Sequence, residues 1–279
     1  MNALKTAILL GLLTAILLVG GQAIAGRQGL YIAFAMSVLM NLGAYFFSDK
    51  IALMSYSAQP VSETENPEIF HRVAPIVRGL AQRMSIPMPK LWIIPEDSPN
   101  AFATGRNPNH ASVAFTSGIL QLMSDNELEG VIAHELGHVL HRDILISSVA
   151  AMLAGTITFV ARMAFWFGGS RDDEDRGNPI AAIAMMILAP IAAMLIQMAI
   201  SRSREYDADE ASAKYVGSPY PLIGGLQKLE TYSKRIPMDA SPSTAHLFII
   251  KPFTGESIMR LFSTHPSTEE RIARLQAMR

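Results

Sequence analysis

Four apolar stretches dictate most of what this chain can fold into. Residues 6–26, 30–47, 144–167 and 180–200 each approach or reach the length of about 20 residues that an α-helix needs to cross a hydrocarbon core of roughly 30 Å. Residues 27–29 separate the first two and 168–179 the last two, so each pair reads as a hairpin of membrane-spanning helices. Polar segments 48–143 and 201–279 make up the rest. Composition agrees: half of the 279 residues are hydrophobic, only 17% are charged and the mean hydropathy is +0.25, too apolar for an ordinary soluble domain.

The first stretch has a rival reading. Lys5, an apolar run and Ala23-Ile24-Ala25 also resemble a signal peptide with its A-x-A cleavage site. A second span follows almost at once and pairs with the first, which favours an uncleaved helix. Orientation follows the cationic residues near the spans. The 168–179 loop sets Arg171 and Arg176 among four acids, whereas Lys5, Lys50, Arg142, Arg202 and Arg204 lie on the opposite side. Both termini and both polar segments are therefore expected in the cytoplasm. Arg162 lies near enough the outer end of the third span to snorkel, and Pro190 reads as a kink that neighbouring helices satisfy. A net charge of −1 leaves no footprint for nucleic acid. With no cysteine, disulfides and thiolate ligands are excluded, and any metal must be held by His, Asp or Glu.

The first polar segment reads as mixed α and β. Phe70, Val73, Ile76, Val77 and Leu80 recur at helical spacing and predict an amphipathic helix lying on a core. Residues 90–96 and 101–117 read as short strands, the second a hairpin turning at Asn107-Pro108-Asn109. Ser124 and Glu127 then form a capping box. It opens a helix over 125–143 with no breaker before the third span.

That helix carries His134-Glu135-Leu136-Gly137-His138. Two histidines four residues apart lie on one helical face and can bind a single Zn²⁺ through neutral imidazoles. Glu135 beside them is placed to take a proton from water made acidic by the metal and pass it to a leaving amine. Three fixed residues occur by chance in roughly one chain in a hundred of this length, so a third ligand must support the reading. His141 shares the face but lies about 10 Å along the axis from His134, too far for one ion; it reads as a surface group or an outer support. The acidic run after the fourth span offers better. Glu205 and Asp209 are four apart and face the same way, whereas Asp207 points to the opposite side. One can bind the metal while the other accepts a ring N–H from a ligating histidine. His138 precedes the third span, and Glu205 follows the fourth, by similar numbers of residues. Both then sit roughly 8–9 Å above the same membrane face.

On these residues the sequence resembles the HtpX-type membrane zinc metalloproteases, relatives of the CAAX prenyl endopeptidases. The resemblance is carried by HELGHVLHRD at 134–143, SRSREYDADEASA at 201–213, NAFATG at 100–105 and STHPSTEERIARL at 263–275. It implies a mostly α membrane protein, with four transmembrane helices and a cytoplasmic α+β, gluzincin-like catalytic domain that has a small β-sheet. It further implies one Zn²⁺ bound by His134, His138 and Glu205, Glu135 as the catalytic base, and Asp209 behind a ligating histidine. Asp207 and Glu210 are left to solvent. The NAFATG strand would bind an extended substrate by adding it to a sheet edge. His265, and more weakly Asn100, could contact the substrate or the oxyanion; helix entry is an equally good reading of His265. The implied role is quality control of membrane proteins in a bacterial inner membrane under stress, alongside other membrane proteases. A prenyl-protein protease is a narrower alternative, and a non-catalytic zinc-dependent adaptor a more distant one. Transport is disfavoured because the spans hold almost no ionisable residues. Zinc is inferred from ligand type; Co²⁺ or Mn²⁺ could fill the same site in vitro.

Overall fold

A computed structural model of the chain describes residues 2–150, 153, 202–233, 249 and 266–278. The fourth span and nearly all of the third lie outside the described residues. The first helix, α1 (Asn2–Ser55), is helical throughout yet is not one straight rod. Asn41 donates from Nδ2 to Thr14 Oγ1 at 2.9 Å, although the two would stand about 40 Å apart on a straight helix. Met40 likewise packs against the buried cluster that contains Leu9 and Leu13. The chain doubles back at Gly26, whose φ of +57° is open to a residue without a Cβ. The first two apolar stretches thus fold back on each other, with the reversal at Gly26 rather than at residues 27–29. The 26–47 arm is long and apolar enough to cross a membrane, and only 12% of its apolar window is buried, unlike the core helix of a soluble domain.

The returning arm continues past the apolar stretch to Ser55 and docks on a β-sheet. Ala52 and Leu53 pack against Ile94, Phe102 and Ala114. These three belong to a four-stranded sheet formed by β1 (Gln59–Val61), β2 (Lys90–Ile94), β3 (Ala101–Gly105) and β4 (Ala111–Thr116) in the order β1-β2-β4-β3. β2 and β4 run parallel; the outer pairs are antiparallel. The β3–β4 hairpin turns through a short 3₁₀ segment, Pro108–His110, where the Asn-Pro-Asn sequence placed it. β1 is too short for an alternating pattern to announce it. The amphipathic helix is α2 (Pro67–Arg83), which buries Val73, Val77 and Leu80.

After α3 (Ser117–Leu122), the central helix α4 (Asp125–Leu140) begins with the anticipated capping box between Ser124 and Glu127. It does not run into the third span. Arg142 takes φ +57° and the helix stops at His141; the chain is helical again from 144 to 150. The expectation of an unbroken helix is thus corrected. Three further helices complete the described chain: α5 (Arg202–Val216), α6 (Tyr220–Ser233) and α7 (Thr268–Ala277). α4 lies at the middle of the main core, with Leu128, Val131, Ile132, Leu136 and Val139 fully buried against α6 residues Leu222, Leu226 and Leu229. Close approach is allowed by glycine: a Cβ on Gly130 would meet the backbone N of Leu222 at 2.4 Å.

Candidate metal centre

α4 sets His134 and His138 one turn apart, their rings edge to face with centroids 4.8 Å apart and their Nε2 atoms 3.3 Å apart. α5 brings in Glu205, whose Oε1 lies 3.7 Å from His138 Nε2 and whose Oε2 lies 3.7 Å from His134 Nε2. One donor atom from each residue falls within 4.8 Å of the others. Small residues make this possible. Where the helices cross, a Cβ on Gly137 would stand 3.0 Å from Ala208 Cα and 3.2 Å from Ala211 Cβ, so a larger residue would push the Glu205 helix away from the histidines.

Both imidazoles are oriented from behind by a carboxylate. His134 Nδ1 donates to Asp209 Oδ1 at 2.9 Å, and His138 Nδ1 donates to Asp143 Oδ2 at 3.2 Å. With these protons kept at Nδ1, each ring in its neutral form would turn an Nε2 lone pair to the space in front of Glu205, the tautomer that metal ligation requires. Asp209 stands on the face that its helical phase shares with Glu205; Asp143 was not foreseen. It reaches His138 because the turn at Arg142 folds the chain back, with the Asp143 N–H donating to His138 O at 3.1 Å. Arg271 of α7 was also missed. Its Nε and Nη2 donate to Asp209 Oδ2 and Oδ1 at 3.0 and 2.6 Å.

The charge of the site tests whether a metal fits. The buried charged side chains among the described residues are the carboxylates Glu135, Asp143, Glu205 and Asp209 and the guanidiniums Arg204 and Arg271. Four negative groups face two positive ones, and one divalent cation makes up the difference. Without it, protons fill that role. Burial pushes the Glu135 carboxyl up to about 8. Burial works against protonation of His138, but the Asp143 and Glu205 carboxylates outweigh it and raise the group to about 10. His134, by contrast, is held below the ordinary histidine value by burial and by the Arg271 charge. Burial opposes ionisation of Asp209, but the Arg271 guanidinium keeps its carboxyl below the usual range. The donor set, two imidazoles and a carboxylate, suits a borderline cation such as Zn²⁺.

Glu135 is buried beside the cluster, and its Oε2 accepts the Ala103 N–H at 2.8 Å. Ala103 belongs to β3, the outer strand of the sheet, so the NAFATG strand does lie alongside the metal helix. On the same edge, Ala101 O accepts the Ile249 N–H at 3.3 Å. Asn100 is buried at the foot of β3, its Oδ1 accepting the Ala101 N–H at 3.1 Å. His141 closes α4 and is exposed, as are Asp207 and Glu210. His265 lies outside the described residues.

Comparison with known proteins agrees with this geometry. The profile of peptidase family M48 matches residues 67–279, which includes every residue of the cluster. The chain is 54% identical to the protease HtpX homolog of Thermodesulfovibrio yellowstonii, over 100% of this chain and 99% of that one. It is 51% identical to the homolog from Desulforapulum autotrophicum, over 99% of this chain and 89% of the relative. In fold it resembles the crystal structure of S. mikatae Ste24p, with a TM-score of 0.52 at 20% identity, over 98% of this chain but 63% of that larger one. Sequence, fold and the arrangement of His134, His138, Glu135 and Glu205 converge: the chain is a metallopeptidase that belongs to peptidase family M48.

Proposed function

We propose that this metallopeptidase is a zinc-dependent endopeptidase of a bacterial inner membrane, cutting misfolded or damaged membrane proteins at the cytoplasmic face. Four spans would anchor it as two hairpins within 1–47 and 144–200, with 48–143 and 201–279 forming the catalytic part. Work under stress beside other membrane proteases fits such a role. The observation that carries the reading is the convergence of His134, His138 and Glu205 in front of buried Glu135, alongside a sheet edge.

His134, His138 and Glu205 would hold the ion, which when bound supplies a Lewis acid for the peptide carbonyl and acidifies water. Glu135 accepts a proton in this dry pocket and delivers it to the departing amine. Asp209 and Asp143 keep both imidazoles turned towards the ligand position. An extended peptide adds to β3 by main-chain hydrogen bonds. The peptide competes for the Ala103 N–H that Glu135 now accepts, so its arrival frees the carboxylate for proton transfer. Asn100 and His265 are candidates for contacts to the substrate.

Replacing Glu135 with Ala should abolish cleavage of a membrane-protein substrate by the purified protein while bound zinc stays near one per chain. An equally active variant would refute the assignment.

A further inference from the structure

We propose that Arg271 is a positioning residue of the metal centre: it clamps Asp209 in the orientation that holds His134 for ligation and ties that clamp to the edge strand β3. The proposal rests on the metal site described above. Arg271 lies on the C-terminal helix α7, 62 residues from Asp209 and 137 from His134 in sequence. It is nevertheless only 2% exposed.

The guanidinium meets Asp209 as a planar fork, one N–H to each carboxylate oxygen. A carboxylate held at one oxygen can turn about its Cβ–Cγ bond; held at both, it cannot. Asp209 Oδ1 is thereby fixed 2.9 Å from His134 Nδ1. The same Nη2 lies 3.2 and 3.3 Å from the two nitrogens of the His134 ring, packed against it. The remaining Nη1 donates to Ile249 O at 3.3 Å, and the Ile249 N–H in turn donates to Ala101 O on β3. One side chain thus joins a support of the metal ligand to the strand on which a substrate would lie. Lysine, a single point donor, cannot span both oxygens and reach Ile249 as well.

The test uses purified full-length protein in detergent, with Zn²⁺ affinity read by competition with a chromogenic chelator and melting followed on the metal-free form. The parent is measured first; failure of the parent to bind zinc counts against the metal reading itself. Arg271→Lys should weaken zinc binding roughly 10- to 100-fold, the range for groups that orient metal ligands, while the metal-free protein melts as the parent does. Added to Asp209→Asn, it should cost less than it does in the parent, because most of its effect passes through the Asp209 hydrogen bond to His134 and only contacts such as the 3.7 Å approach of Nη1 to Glu205 Oε2 remain. Unchanged affinity in Arg271→Lys, a fall in metal-free melting that accompanies the loss, or losses that multiply in the double variant would each overturn the proposal.

Discussion

Glu135 and His138 carry protons in the metal-free site for a reason that makes metal uptake measurable. At pH 7 both groups lie below their raised values of about 8 and about 10 and are protonated. A bound cation needs a neutral His138 and replaces the positive charge that the two protons supplied. Binding at pH 7 should therefore release protons, and fewer of them as the pH rises through about 8 and about 10. Zinc affinity accordingly rises with pH through neutrality. Calorimetry in buffers of different ionisation enthalpy reads the number directly, and a release near zero at pH 7 would contradict this charge balance. Removing a ligand tests the same centre from the other side. Glu205→Ala should weaken zinc binding by at least the roughly 10- to 100-fold cost of an outer support, since it removes a donor; unaltered binding would dismiss Glu205 as the third ligand. Glu205 and Asp209 were legible in the sequence because a four-residue spacing on a helix fixes a shared face. Asp143 and Arg271 were not. The first depends on a turn at a non-glycine residue, the second on a contact between helices far apart in the chain, and neither leaves a periodic trace.

Helices α4, α5 and α6 pack closely because glycine stands where they touch, and the two glycines of α4 differ in consequence. Alanine at Gly137 would meet Ala208 and Ala211 at 3.0–3.3 Å, side chains and a Cα that can yield slightly. Alanine at Gly130 would meet the backbone of Pro221 and Leu222 at 2.4–2.6 Å, which moves only with the whole of α6. Alanine gains about 1 kcal/mol of helix propensity over glycine, and overpacking typically costs about 1–3 kcal/mol. With so short a contact the cost should win at Gly130. Gly130→Ala should lower the melting temperature of the detergent-solubilised protein, and lower it more than Gly137→Ala does. A Gly130 variant that melts higher than the parent would show that α6 can shift freely. Elements of this kind were the readable part of the fold: the capping box, the amphipathic α2 and the hairpin at 107–109 each carry their own local signal. The end of α4 was unreadable because residues 138–150 contain neither glycine nor proline. A left-handed non-glycine residue costs on the order of 1–3 kcal/mol, offset here by the bond from His138 Nδ1 to Asp143 and by the bond from the Asp143 N–H to His138 O. β1 and the parallel pairing of β2 with β4 are tertiary outcomes that no short window encodes.

The whole molecule joins its membrane-directed part to its chemistry at several points. The α1 arm docks Ala52 and Leu53 on the sheet. Thr104 of β3 shares a 2.7 Å hydrogen bond with Ser148, just past the break that follows α4, and Ile146, Val149 and Ala150 pack on Leu9 and Leu13 of α1. Near the end of the apolar arm, Phe46 and Phe47 lie under Arg106 and Lys50. Aromatic rings beside cationic side chains suit the headgroup layer, and Arg106 follows directly on the edge strand. Such an arrangement would hold β3 close to the bilayer surface, where a membrane-protein substrate emerges. The topology proposed from the cationic bias would put that surface on the cytoplasmic side, and the chain lends itself to a direct test because it contains no cysteine. A single cysteine at Arg27, beside the Gly26 reversal, should react with a membrane-impermeant maleimide added to intact spheroplasts, as should one at Asp173. A cysteine at Glu63, exposed in the β1–α2 connection, should react only after lysis. Labelling of Glu63→Cys from outside, with Arg27→Cys protected, would invert the topology and place the metal centre on the opposite side of the membrane from the proposed substrates.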